Sequence, residues 1–397
     1  MTSSFGWLDT DPTQRTRMLE VVDLFRDKGS VDELGIGSIR DALSDALFPG
    51  TSVLHTRLRY VLFVPWLMQQ ATHGTTLAEM VEQFRDGEYR LIEALIAGSE
   101  DVGVIGNRAR RKLKRLPSGV YWSALGAWGI RTGGFSSETF FRRTADLQVL
   151  ARRTTRADDD ESHDPLPATG LDPHLPRPPD RWLTAVDFRL TAEEEQYLSH
   201  RITSAAPGSM LAWLVHHEPP DLDGYVWDLD HLASAPSPLR ELADHARRFH
   251  TAIHGAAALY NLMLARRIDD EELVDHYLEE AARWRDELHA TGALDGWDRS
   301  AWWATIRRQN PRVNMQTTSF VDTWLDLIAE SADIATSPRA ERLVATRERR
   351  IKGGRARLAN QAALDRWNGA SGLARHDFRW RVASSHLQDL YAARRAT

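Results

Sequence analysis

The sequence predicts a mainly α-helical protein of two lobes, and three observations carry that prediction. Apolar residues recur at three- and four-residue spacing over most of the chain. No apolar–polar alternation runs beyond about four residues, so any sheet is small. One stretch, residues 154–180, lacks apolar periodicity and separates the two helical regions.

The elements follow in order. Asp9 or Asp11 can cap a helix from Pro12 to Asp27, with Met18, Leu19, Val22 and Phe25 on one face. A second helix is expected over Ile36–Phe48, its apolar stripe formed by Ile39, Leu43, Ala46 and Leu47. Phe48-Pro49-Gly50 breaks it, and Thr51 or Ser52 can cap a third helix reaching Ala71. A fourth covers Thr75–Ala97. Asn107–Arg115 then carries six basic residues and no acid. An aromatic helix with Tyr121, Trp122 and Trp128 is expected over Ser118–Ile130, and a helix capped by Ser136 runs to about Arg153.

Residues 154–180 hold the acidic run Asp158–Glu161 and six prolines between Pro165 and Pro179, the composition of a linker. Beyond it, helices are expected over Thr191–Ala205, Ser209–His216, Pro238–Arg267, Glu271–Thr291, Asp298–Arg308 and Thr317–Ala332, with a loop from His217 to Pro238. From Ala340 to Thr397 thirteen Lys or Arg face five Asp or Glu. The expected organisation is a helical domain over 1–153 with a candidate helix-turn-helix, a linker over 154–180, a central helical domain over 181–335 and a basic segment over 336–397.

Composition limits the function classes. No cysteine is present, which removes disulfides, thiolate metal sites and cysteine nucleophiles and suits a cytoplasmic location. The N-terminal residues show no signal-peptide pattern, and the longest apolar run, Tyr60–Met68, is too short to span a bilayer, so no membrane role is expected. Net charge is only −6, which makes the local distribution of charge the question. Fourteen tryptophans imply large helix–helix seams or an aromatic surface for a partner.

Two basic clusters are the strongest chemical signal, because arginine and lysine neutralise phosphates and release counterions. The first is Arg108, Arg110, Arg111, Lys112, Lys114 and Arg115. In the second, Arg350, Lys352, Arg355 and Arg357 flank Gly353-Gly354, whose backbone would admit a phosphate closely. Without Gly-Lys-Ser/Thr this is not a nucleotide-binding P-loop. The bland reading of both clusters is a solvated helix end or a face for a partner protein. Arg142 and Arg143 would sit on the recognition helix of a helix-turn-helix over Ser118–Arg153, a spacing equally common in any helical hairpin. Arg57 and Arg59 are expected to pair with Asp41 and Asp45 across a helical hairpin rather than to hold phosphate.

Catalytic patterns are absent from the sequence. His250 and His254 share a helical face, but no glutamate lies between them as a zincin helix requires, and a hydrogen-bonded core pair is the better reading. Asp221, Asp223, Asp228 and Asp230 lack the spacing of a calcium loop. No Gly-x-Ser-x-Gly elbow occurs. No catalytic residue, metal or cofactor is therefore assigned.

Three strings, FGWLD from Phe5, DELGIGSIRDALSDALFPGTSVLHTRLRYVLFVPW from Asp32 and RERRIKGGRARLANQAALDRWNGASG from Arg347, with RFHTAIHGAAALYNLMLA from Arg248, resemble a bacterial family known as a domain of unknown function. The resemblance implies a place in phage-defence gene clusters, beside a helicase-like protein bearing a phospholipase-D-type nuclease domain. It carries over no catalytic residue. The expectation is an accessory, non-catalytic subunit of an antiviral defence system that binds a nucleic-acid backbone, DNA ahead of RNA, and a helicase or nuclease partner. A metal-dependent nuclease with an unrecognised acidic site and a pure protein scaffold are the alternatives.

Overall fold

The computed structural model describes residues 32–155 and 170–396. The helix expected over Pro12–Asp27 lies outside them. Among the described residues the protein is mainly helical, and its β structure is one isolated antiparallel bridge, Arg131 to Leu171. In chain order the helices are α1 (Gly37–Leu47), α2 (Tyr60–Ala71), α3 (Leu77–Ala97), α4 (Pro117–Ala127), α5 (Ser137–Thr155), α6 (Ala192–Ala205) and α7 (Met210–His216). They continue with α8 (Ser237–Arg267), α9 (Glu271–Ala290), α10 (Arg299–Gln309), α11 (Met315–Glu330), α12 (Pro338–Lys352), α13 (Gln361–Leu364) and α14 (Trp380–Arg395).

These helices form two compact units, each built from separated pieces of chain. Among the described residues, one comprises 44–155, 170–243 and 377–396, the other 32–43 and 244–376. The division expected at 154–180 is not where the chain separates. Residues 170–190 instead belong to the same unit as α2–α5, for a local reason. Asp172 N–H donates to Ile130 C=O at 2.9 Å, and Thr132 N–H donates to Gly170 C=O at 2.9 Å. Trp66 Nε1 donates to Pro176 C=O at 2.7 Å, and Trp182 stacks on Phe63 at 5.6 Å. The proline-rich composition reads as a linker, but Leu171, Leu175 and Pro176 are buried. Proline costs nothing in a packed segment whose N–H groups are not needed for a ladder.

In the 44–243 unit, α2 buries ten of its twelve residues, which explains its continuous apolar sequence. Among the described residues no helix is long and apolar enough to cross a membrane. The helix starts at Tyr60, not at Thr51 or Ser52 as expected. Two side chains hold the preceding backbone in an irregular path. Tyr121 Oη accepts from Thr56 and Arg57 N–H at 2.8 and 3.1 Å and donates to Arg57 C=O at 2.7 Å. The Asp389 carboxylate on α14 accepts from Leu58 N–H at 2.9 Å and from the Arg57 guanidinium at 2.7 Å. Buried donors met in this way have no need of a helical turn.

In the 244–376 unit the core is built around α8. Trp284 and Trp324 donate their indole N–H groups to the C=O of Thr251 and Ala252, at 2.8 and 2.9 Å. Gly255 makes this possible, since a Cβ there would lie 2.4 Å from the Trp284 ring. The tryptophans thus serve the helix seams. Eleven of them are buried, Trp122 and Trp227 are half-buried, and Trp7 lies outside the described residues. The segment expected over 336–397 only to be basic forms α12 and α13 in this unit, and α14 in the other; Ala340 and Val344 of α12 and Trp380, Leu387 and Leu390 of α14 are buried.

Candidate nucleic-acid interface

The first basic cluster sits on a loop anchored from within. Gly98 ends α3 where a Cβ would meet Val186 C=O at 2.1 Å, so only glycine lets the 184–188 segment pass. Thr56 Oγ1 donates to Gly103 C=O at 2.6 Å, and Ile105 N–H donates to Tyr60 Oη at 2.9 Å. Leu113 covers Gly106, whose φ is +88°. Beyond the loop, Ser118 N–H at the start of α4 donates to the buried Glu88 carboxylate at 2.7 Å. Burial raises that carboxyl to about 7, against the lowering effect of the Ser118 hydrogen bond.

With its apolar side held down, the loop turns its cations outward. Arg108, Arg111, Lys112 and Lys114 are exposed, while Arg110 and Arg115 are half-buried. Arg108, Lys112 and Lys114 make no ion pair among the described residues. Arg110 pairs with Glu93 at 3.2 Å and Arg111 with Asp86 at 3.1 Å, both on exposed turns of α3. Such pairs contribute about 0–1 kcal/mol each and are readily exchanged for phosphate. Arg115 turns back to donate to Gly119 C=O at 3.0 Å. The six cations expected to act together therefore divide into four outward and two partly engaged.

Sequence reasoning missed the contribution of α3. Tyr89, Arg90, Glu93, Arg110, Arg111 and Leu183 line a shallow depression of about 120 Å³. The Arg111 guanidinium lies over the Tyr89 ring at 5.3 Å, and that of Arg85 lies 5.9 Å from the same ring. The pattern was available in the sequence, because Arg85 and Tyr89, like Asp86 and Arg90, stand at i, i+4 on one helix.

The helical pair expected over Ser118–Arg153 forms as α4 and α5. Arg142 is exposed and pairs with Glu138 at 2.7 Å, and Arg143 stacks over Phe135 at 4.9 Å. Tyr121 and Trp128 are in the core.

The second cluster does not form the expected ring of cations around a phosphate. Lys352 and Arg357 turn inward to Glu33, the latter at 2.8 Å. Lys352 also meets Glu348 at 3.0 Å. The Glu348 carboxylate, fully buried, accepts from Tyr260 Oη at 2.6 Å and from the N–H groups of Arg357 and Leu358 at 2.8 and 3.0 Å. Those hydrogen bonds and Lys352 hold its pKa below the usual carboxylate range despite burial. The anion beneath the Gly353-Gly354 turn is thus the protein's own. Gly353, at φ +56°, supplies the reversal that brings these amides back to it. Arg350 and Arg355 remain exposed beside the two glycines.

Arg57 and Arg59 are paired internally, but not with Asp41 and Asp45. Arg57 grips Asp389, and Arg59 lies between Asp187 at 3.3 Å and Glu194 at 2.7 Å. Asp45 pairs with Arg379 at 2.6 Å and Asp41 with Arg40 at 3.0 Å.

The histidine pair on α8 is a hydrogen-bonded core feature. His250 Nδ1 lies 2.8 Å from His376 C=O, and His254 Nε2 lies 2.9 Å from Glu280. Arg375 reaches His250 Nε2 at 3.4 Å while forking onto Glu287. Among the described residues no group of three His, Asp or Glu side chains converges as metal ligands would.

No curated protein and no solved structure matches the chain. The family of unknown function DUF6361 matches residues 2–394, nearly the whole length, and the chain belongs to that family.

Proposed function

We propose that the protein is an accessory, non-catalytic subunit of a bacterial antiviral defence system that grips a nucleic-acid backbone, DNA ahead of RNA, on behalf of a helicase-like or nuclease partner. One observation carries the nucleic-acid part. The 107–115 loop is fixed from its apolar side and presents Arg108, Arg111, Lys112 and Lys114 outward, three of them without an ion pair among the described residues. Cations held at fixed positions bind phosphates without reading bases, so affinity should fall steeply with salt and vary little with sequence. The defence context rests on the resemblance of the quoted strings to a family placed in such gene clusters.

The test is fluorescence anisotropy of the full chain with labelled single- and double-stranded DNA across a salt series. Replacing Arg108, Arg111, Lys112 and Lys114 together by alanine should lower the salt slope by roughly one unit per lost contact. An unchanged slope would remove the loop from the interface. A second reading, a protein scaffold, is favoured by the inward use of Lys352 and Arg357, which leaves less basic surface than the sequence promises. It predicts no shift of either DNA form at low salt.

A further inference from the structure

We propose that the depression between α3 and the 107–115 loop is a receptor for a single phosphate monoester, the terminal phosphate of a strand or of a nucleotide. The inference deepens the backbone-binding reading and rests on it only for the strand-borne source. Four observations lead to it.

The lining brings Arg90, Arg110 and Arg111 against one acid, Glu93, a net charge of +2 around about 120 Å³. Asp86, which pairs with Arg111, is matched by Arg85 on the same helix. A phosphate monoester carries up to two negative charges, whereas each phosphodiester of a continuous backbone carries one. Arg90 is exposed and makes no ion pair among the described residues, so a cation at the rim is open to an anion.

The walls come from three separate stretches of chain, α3, the Arg110–Lys112 turn and the segment holding Leu183. A depression bounded by three stretches of chain surrounds one compact anionic group, not a long stretch of strand. The aromatic face is also taken, because Tyr89 is only 8% exposed and the Arg111 guanidinium lies over it. The site therefore offers charge and donors but no ring on which a base can stack.

Finally, Arg110 holds φ +49°, a left-handed conformation that costs an ordinary side chain of order 1 kcal/mol. Glycine would be relaxed there. The position instead carries a guanidinium, and its backbone conformation presents that group to the depression.

The test compares oligonucleotides bearing a 5′-phosphate or a 5′-hydroxyl, labelled at the 3′ end, in anisotropy with the full chain. Inorganic phosphate and adenosine monophosphate are titrated separately by calorimetry. The 5′-phosphate should strengthen binding about tenfold, the effect of one or two charge-assisted hydrogen bonds. Arg90→Ala and Arg110→Gly should each remove that difference. Arg110→Gly keeps the turn comfortable, so an unchanged or raised melting temperature shows that the loop remains folded.

Calorimetric binding of phosphate and adenosine monophosphate, abolished by the same variants but with no effect of strand phosphorylation, would also support the receptor and assign it to free nucleotides. DNA binding indifferent to the 5′ end, together with no monoester binding, would overturn the receptor and leave the backbone reading standing. Monoester binding without any DNA binding would do the reverse.

Discussion

Glu348 shows how much one side chain decides. It is fully buried and gathers a phenol, an ammonium and two backbone amides from Tyr260, Lys352, Arg357 and Leu358. Removing the carboxylate leaves the Tyr260 hydroxyl and two amides without their acceptor and takes from Lys352 one of its two carboxylates, Glu33 remaining. Glu348→Ala should therefore destabilise the protein by about 3–5 kcal/mol, with Glu348→Gln milder because the amide oxygen still accepts. Urea unfolding followed by tryptophan fluorescence measures both, and a cost below about 1 kcal/mol for the alanine variant would show that the network is dispensable. Gly255 is decisive in the opposite sense, through absence of atoms. Gly255→Ala places a methyl 2.4 Å from Trp284 and should cost about 1–3 kcal/mol by overpacking. Neither effect could be read from the sequence. A buried glutamate and a solvated one are the same letter, and so are a packing glycine and a flexible one.

At the scale of elements, α6 illustrates what local chemistry settles. Thr191 Oγ1 accepts from Glu194 N–H at 3.2 Å while the Glu194 carboxylate accepts from Thr191 N–H at 3.0 Å, a reciprocal cap visible in the string TAEE. The same carboxylate also holds the Arg59 guanidinium at 2.7 Å. Thr191→Ala should cost about 1 kcal/mol, the ordinary value of a cap. Glu194→Ala should cost clearly more, since it also strips a buried arginine of a partner. Equal melting temperatures for the two variants would contradict the double role. Caps of this kind fix several helix starts: Thr76 for α3, Ser209 for α7, Asp270 for α9 and Asp298 for α10 all accept from backbone N–H groups in the first turn. The Thr51–Arg59 segment went the other way. Thr51 and Ser52 look like caps, yet Tyr121 and Asp389, distant in sequence, satisfy the backbone better than a helix start would.

At the scale of the molecule, the histidines set the response to acid. Burial lowers His55 to about 4 and His376 to about 3, and it also lowers His250, His254 and His386. Among the described residues neither ring nitrogen of His386 has a hydrogen-bond partner. Each of these groups binds a proton less readily in the folded chain than in the unfolded one, so stability falls as pH drops below about 6.5. Glu88, raised to about 7, works in the other direction, since its folded form binds a proton between its unfolded value and pH 7. Five groups oppose one. The unfolding free energy, and with it the urea midpoint, should therefore decline from pH 7 to pH 5, before most carboxylates titrate, the free energy by up to about 1.4 kcal/mol per pH unit for each net proton. His386→Leu should flatten that decline, and a midpoint constant over this range would refute the assignment.

The sequence by itself determined the helical class and most helix positions, because these depend on residues within a few positions of one another. The match to a family of unknown function over residues 2–394 agrees with the resemblance to such a family read from the sequence. Tertiary structure decided which charges face outward. Arg108 and Arg357 are alike in sequence, but one stands at the surface and the other meets Glu33, more than three hundred residues away in the chain. It decided also that residues 170–190, linker-like in composition, pack with α2–α5, and that α3 completes the depression beside the basic loop. The physical reason is the same in each case: a charge or an amide is satisfied by whatever the fold brings within hydrogen-bond reach, and that distance in space has no counterpart in distance along the chain.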